Sequence, residues 1–302
     1  MGLFSTNYNK PGPGVSRNER KRKGLFLYIQ IVFRKFLKLM QASFLYTVFS
    51  LPYLFLAFEF ISPLFMNAFG FTRAIMNTTS FTPEDIAYME VWLRVVLALA
   101  VFNFIGFAPV SASYAFVTRC FTRGEHAWIL SDGKDILIGN IKQSLLLFLF
   151  DCVIIFLTTN AINFYRILEE QNVGGMANVF FFLRYIMYSV LAVFTFMHYY
   201  IYQIMVTYEC KFIDLLKNSV IIAIAKLPMT VLLTVICGAI FGVGVYFVSD
   251  NPFLFAIIYS IIGITFTRYP MEFYASRVLD KNIRIENKKK ENKKARINYI
   301  EE

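Results

Sequence analysis

No stretch of this chain carries a catalytic, nucleotide-binding or metal-binding signature. It has no H-E-x-x-H helix to hold zinc, no G-x-S-x-G nucleophile elbow and no paired carboxylates inside an apolar run, so an intramembrane hydrolase has no visible machinery. Cys120, Cys152, Cys210 and Cys237 are the only cysteines and show no C-x-x-C spacing, which argues against a zinc site and a disulfide framework alike. Charge is scarce as well: 17% of residues against 57% hydrophobic and 18% aromatic, a composition that two globular cores cannot absorb. A cleavable signal peptide is not apparent, because the basic leader runs into an apolar stretch too long for an h-region and lacks a small-residue cleavage site. The expectation is a non-enzymatic chain with no cofactor and no metal, whose first apolar helix stays as an anchor.

What the chain does have is six long apolar runs, Leu39–Ile61, Val95–Val117, Leu145–Ile167, Val179–Met205, Lys226–Val248 and Phe253–Phe273. About 20 apolar residues at 1.5 Å rise match the hydrocarbon thickness of a bilayer, so each run predicts a transmembrane helix. The fold class is therefore all-α and polytopic. Residues 1–38 read as a basic segment with an amphipathic lead-in helix, 39–276 as a six-helix transmembrane domain and 277–302 as a basic tail.

The net charge of +10 is segregated along the chain. Lys10, Arg17, Arg20, Lys21, Arg22, Lys23, Arg34, Lys35 and Lys38 precede the first run; Arg277, Lys281, Arg284, Lys288, Lys289, Lys290, Lys293, Lys294 and Arg296 follow the last. Connections 118–144 and 207–225 add Arg119, Arg123, Lys134, Lys142, Lys211 and Lys217, whereas 62–94 and 168–178 hold only Arg73 and Arg94. Lys and Arg collect on the cytoplasmic side, so both termini are expected inside, and the basic balance reads as topology and attraction to anionic lipid rather than nucleic-acid binding. Met1-Gly2-Leu3-Phe4-Ser5-Thr6 fits an N-myristoylation pattern and Asn77-Thr78-Thr79 a glycosylation sequon, both short patterns that matter only in a eukaryotic context.

A shift of 176 residues aligns Lys35-Phe36, Leu39, Ser43 and Leu51-Pro52 with Lys211-Phe212, Leu215, Ser219 and Leu227-Pro228, six identities in 18 positions. A shift of 75 aligns Lys142-Gln143-Ser144 with Lys217-Asn218-Ser219. These registers predict three parallel helix hairpins about an axis along the membrane normal, an arrangement found among transporters and also in plain scaffolds. They place Ser50, Asp151 and Lys226 at one depth, about 10 Å beyond the serine that opens each run. A lone charge there is costly, so either Asp151 and Lys226 form an interhelical ion pair near Ser50, or Lys226 snorkels and Asp151 meets water or a backbone group.

Other polar groups have simpler readings. Arg94, Arg166 and Arg184 lie near outer ends of spans and suit headgroup anchoring, with Glu59 able to answer any of them. His198 reads as a buried, hydrogen-bonded histidine, and Arg268 and Glu272, four residues apart, as a local charge pair. Pro52, Pro109, Pro228 and Pro270 can kink helices. In connection 118–144, Trp128, Ile129, Leu130, Ile136, Leu137, Ile138 and Ile141 alternate with Asp132, Lys134, Asp135 and Lys142 as in an interfacial helix, a connector or a docking site.

Tyr8-Asn9-Lys10-Pro11-Gly12-Pro13-Gly14-Val15, with Tyr114-Ala115-Phe116-Val117 through Arg123-Gly124-Glu125, Asn140-Ile141-Lys142-Gln143-Ser144 and Lys217-Asn218-Ser219, resembles the YesL family over nearly the whole chain. The resemblance implies a multi-pass protein of the bacterial cytoplasmic membrane, of unknown function, often encoded beside carbohydrate-uptake systems; it supplies no catalytic residues. The longer connection Ser62–Glu90 and the basic tail depart from the family. On this basis the expected role is an accessory or regulatory component that meets a carbohydrate transporter or sensor through Gly12, Pro13, Gly14, Val15, Arg123, Glu125, Asn140 and Lys142. The alternative is a self-contained small-solute carrier or channel with a path near Asp151 and Lys226.

Overall fold

The computed structural model describes residues 24–76, 82–248 and 250–281. Gly12, Pro13, Gly14, Val15, the Met1–Thr6 pattern, the Asn77 sequon and the basic run Lys288–Arg296 lie outside the described residues.

All regular structure among the described residues is helical: α1 (Leu25–Phe49), α2 (Leu51–Phe69), α3 (Phe71–Met76), α4 (Pro83–Phe104), α5 (Ala108–Arg123), α6 (Ser131–Gly139), α7 (Ile141–Glu170), α8 (Ala177–Met205), α9 (Phe212–Ala225), α10 (Leu227–Phe247) and α11 (Pro252–Lys281). Five of these, α2, α7, α8, α10 and α11, are long and apolar enough to cross a membrane, and α4 with α5 makes a sixth span if the bent pair counts as one. The chain has the helices of a membrane protein.

Two of the expected spans are cut. The run Leu39–Ile61 is interrupted at Ser50 (φ −99°, ψ 6°), so α1 ends there and the spanning helix continues to Phe69. Pro52 explains the position: in a continuous helix it would have no N–H for Val48 O and its ring would meet that carbonyl, whereas it is tolerated in the first turn of a new helix. The run Val95–Val117 is interrupted at 105–107, where Gly106 takes φ +79° and α4 meets α5 at 56°. Lys226 (φ −110°, ψ 15°) repeats the Ser50 arrangement ahead of Leu227-Pro228, so the fifth span begins after it. The remaining runs lie within or nearly within α7, α8 and α11. The connection expected over Ser62–Glu90 is shorter, since α2 continues to Phe69 and α4 begins at Pro83.

The 118–144 connection is likewise more structured than a single interfacial helix. α5 continues to Arg123 and stops at Gly124, a left-handed C-cap (φ 79°). α6 then packs along α5, with Ser113 donating to Gly133 O at 2.7 Å. A break at Asn140 (φ −106°, ψ 6°) leads into α7.

Contacts identify the two ends of the bundle. At one end α1, the 124–130 connection and the end of α11 meet: Tyr28 stacks on Tyr269 at 5.6 Å, the Lys35 ammonium donates to Glu125 O at 3.3 Å, and Arg123 pairs with Asp280 at 2.5 Å. At the other, Arg73 pairs with Glu170, Arg184 with Glu169 at 3.2 Å, and the Tyr88 hydroxyl donates to Asp250 O at 2.8 Å.

The packed core belongs mostly to the first end. Nearly every residue of α5 is buried, as are Met197–Met205 of α8, and Tyr200, Tyr202, Tyr269, Phe102 and Phe121 are fully enclosed. α10, by contrast, buries only Thr230 and Cys237, and Phe55, Phe60, Phe182 and Val235 stand exposed. Lipid is as apolar as those side chains, so leaving them outside costs little in a bilayer.

Leu39 is 0% exposed and its neighbour Leu37 78% exposed. Leu39→Ala is expected to lower stability by about 2–5 kcal/mol and Leu37→Ala by less than about 0.5 kcal/mol. Thermal unfolding in detergent micelles, followed by circular dichroism, checks this; equal effects would show that α1 does not bury this face.

Candidate functional site at the broken span

A helix that stops inside a membrane leaves its last carbonyls without N–H partners, and lipid offers none. The break between α4 and α5 meets this need with side chains from distant helices. Arg268 Nη1, on α11, donates to Phe102 O at 3.1 Å and Asn103 O at 3.0 Å. The Tyr202 hydroxyl, on α8, donates to Ile105 O at 2.6 Å. The guanidinium also supplies positive charge at the negative end of the α4 dipole.

Three tyrosines enclose that guanidinium. Its carbon lies 4.7 Å from the Tyr46 ring centroid, 5.6 Å from Tyr202 and 5.8 Å from Tyr114, distances at which the ring faces attract a cation. The Tyr46 hydroxyl sits 3.2 Å from Ser111 Oγ and 3.4 Å from Phe102 O. Only glycine fits at 106: a Cβ there would stand 2.5 Å from the Tyr46 hydroxyl and 2.6 Å from both Arg268 Nη1 and Ser111 Oγ, on a backbone already at φ +79°.

Glu272, one turn beyond Arg268, brings a carboxylate oxygen to 3.7 Å from its Nε. Gln203 Nε2 lies 2.7 Å from Glu272 Oε2 and 3.1 Å from Ala115 O. Thr267 bonds Asn103 Oδ1 at 2.9 Å and the Tyr259 hydroxyl at 2.7 Å, while Ser43 meets Thr265 at 2.9 Å. The charge pair expected of Arg268 and Glu272 is present, at 3% and 4% exposure, as the centre of a network joining α1, α4, α5, α8 and α11.

A second buried pair adjoins this centre. His198 Nε2 lies 3.1 Å from Asp151 Oδ1, and His198 Nδ1 lies 2.9 Å from Phe194 O. A carbonyl only accepts, so Nδ1 carries a hydrogen and donates it; the proton between Nε2 and the carboxyl then belongs to either partner. In both forms the pair is neutral overall, which makes its burial in spanning helices tolerable.

The site residues expected from the sequence are thereby redistributed. Asp151 is held by His198 and not by Lys226, which is exposed at the break between α9 and α10. The register that equated Asp151 with Lys226 gives depth along a helix but not the direction a side chain faces. Ser50 is buried and its hydroxyl has no hydrogen-bond partner among the described residues. Arg123 pairs with Asp280 and Glu125 receives Lys35 through its backbone carbonyl, both at one end of the bundle, while Asn140 donates to Ile136 O at 3.0 Å and Lys142 is exposed. Arg94 pairs with Glu90 at 2.5 Å, Arg166 donates to Asn163 at 2.7 Å, and Glu59 is exposed.

Gly106, Gln203 and the tyrosine enclosure were not anticipated. The signal available was Gly106 three residues before Pro109 inside an apolar run. No family model matches the chain, and no curated protein or solved structure matches it either. The likeness to the YesL family rests on the residues quoted above.

Removing one partner of a buried ion pair strands the other charge. Arg268→Met alone is expected to cost about 3–5 kcal/mol, and adding Glu272→Gln to recover part of that loss; additive losses in a double-mutant cycle read by thermal unfolding would show that the two charges do not interact. Gly106→Ala should destabilise by more than about 1 kcal/mol in the same assay, because strain and overlap act together; an unchanged midpoint would refute the close approach.

Proposed function

We propose that this protein is a non-enzymatic, multi-pass component of a bacterial cytoplasmic membrane, with both termini inside, serving a carbohydrate-uptake system as an accessory or regulatory subunit. The observation that carries the partner-binding part is the end of the bundle where α1, the 124–130 connection and α11 meet. Lys35–Glu125 and Arg123–Asp280 hold that surface together; Trp128, in the 124–130 connection, is 69% exposed, and Ile138, on the α6 helix that follows, is 57% exposed. Exposed apolar side chains next to a braced surface are what a docking partner can cover. The link to carbohydrate uptake comes from the family resemblance alone.

We read the helices as three parallel hairpins. Ser50 and Lys226, 176 residues apart, have nearly the same backbone angles and both precede Leu-Pro, and Lys35 and Lys211, at the same spacing, both leave helical geometry. Ser43, Ser144 and Ser219 are all 0% exposed. The middle copy departs, since its break falls at Asn140 and Asp151 lies within unbroken α7.

The second reading, a small-solute carrier, is favoured by the charged centre at a broken span, since discontinuous helices commonly hold transported solutes. Its path would pass Asp151, His198 and Arg268, with His198 in the place first given to Lys226.

A mild-detergent pull-down of the tagged chain from its native membrane, with mass spectrometry, separates the two. The accessory reading expects a carbohydrate permease subunit near equal stoichiometry, lost on Trp128→Ser with Ile138→Ser. A solitary stable oligomer, together with solute flux into vesicles holding this protein alone, would overturn it.

A further inference from the structure

An apolar crevice of about 300 Å³ opens between α1, α5 and α6, walled by Ala42, Leu45, Val110, Val117, Leu130 and Leu137 among others. Its deep side reaches Tyr46 and Tyr114, two of the three rings around Arg268. Among the described residues Lys134 is the only charged one lining it, and no acid does. Ala42, Leu45 and Phe49 of α1 all face it, and Lys38, exposed one turn earlier on the same stripe, continues the line toward the end where the basic connections meet. The nearby Asp132 is turned away, accepting the Trp128 backbone N–H at 2.9 Å.

We propose that this crevice seats one acyl chain of an anionic bilayer phospholipid, its headgroup against Lys38 and Lys134. The volume falls at the small end of ligand sites, about 300–1,000 Å³. The apolar walls recover for a chain the burial it has within the bilayer, and the two cations distinguish an acidic headgroup from a zwitterionic one. Occupancy would brace Tyr46 and Tyr114 against the guanidinium, so the lipid becomes part of the wall of the polar centre. This inference goes beyond the accessory reading and does not depend on it.

The sequence contains two tryptophans, Trp92 and Trp128, and Trp128 stands beside the lining residues Ile129 and Leu130. The Trp92→Phe chain therefore reports from a position next to the crevice lining. The test places it in phosphatidylcholine nanodiscs containing a small fraction of either phosphatidylglycerol or phosphatidylcholine with brominated acyl chains, and compares quenching of Trp128. Brominated phosphatidylglycerol is expected to quench several-fold better at equal fraction. Lys38→Gln and Lys134→Gln should each reduce that preference by roughly fivefold or to its floor, and Ala42→Phe, which fills the crevice, should remove it. Lys38 and Lys134 are exposed, so those variants keep the test readable if Ala42→Phe fails to fold. Equal quenching by the two lipids, or a preference that survives both lysine changes, overturns the proposal. Quenching that depends on the number of chains per disc and not on the headgroup would also overturn it, and would put a second copy of the chain in the crevice.

Discussion

The contact of Arg268 with the carbonyls of Phe102 and Asn103 is the constraint on which the architecture turns. An unpaired carbonyl in hydrocarbon costs several kcal/mol, so if the bent pair of α4 and α5 counts as one span, its break at Gly106 needs a fixed donor. A guanidinium meets two carbonyls and carries a charge suited to a helix C-terminus, but it must itself be neutralised. Glu272 and the three tyrosine rings do this, and each comes with its own requirement: Gln203 against Glu272, Ser111 against Tyr46, and no side chain at 106. One break thus dictates residues on five helices, which is why burial is densest there and sparse along α10.

Much of the fold was legible in the sequence because hydrocarbon thickness leaves a plain mark on it. Six apolar runs correspond to the five apolar helices and one bent pair, and Arg268–Glu272 was readable from a spacing of four. The breaks were harder to see. Ser50 and Gly106 lie inside uninterrupted apolar runs, and hydropathy does not register backbone angles; only Pro52 and Pro109, each at a first helical turn, hinted at a restart. The tyrosine enclosure was hidden for another reason. Tyr46, Tyr114 and Tyr202 are spread over 156 positions of a chain that has 18 tyrosines, and no periodicity joins residues that meet only through tertiary packing.

Asp151 shows the same limit. Equivalent depth in a repeated unit points to Lys226 as its partner; the structure supplies His198, on the neighbouring helix and facing inward. A lysine at a helix break can carry its ammonium to the surface on a flexible stem, whereas a histidine cannot and must be satisfied where it stands. The imidazole therefore carries the internal pairing, and the lysine is free to remain exposed.

These energetics also weigh the two functional readings. For a solute to pass the broken span, Arg268 must leave the carbonyls or Glu272, and breaking a buried pair of this kind costs about 3–5 kcal/mol. That cost corresponds to an opened state roughly a hundredfold to a few thousandfold rarer than the closed one unless the solute supplies replacement contacts. A carrier can meet that demand only with a ligand whose own acceptors replace two carbonyls and a carboxylate at once, an anion or a densely hydroxylated molecule. A partner docking at the end that carries Lys35, Arg123 and Asp280 faces no such demand, because the centre stays shut and the groups it covers are already exposed or half-buried. The cost of opening the centre therefore weighs against the proposed carrier and on the side of the proposed accessory role.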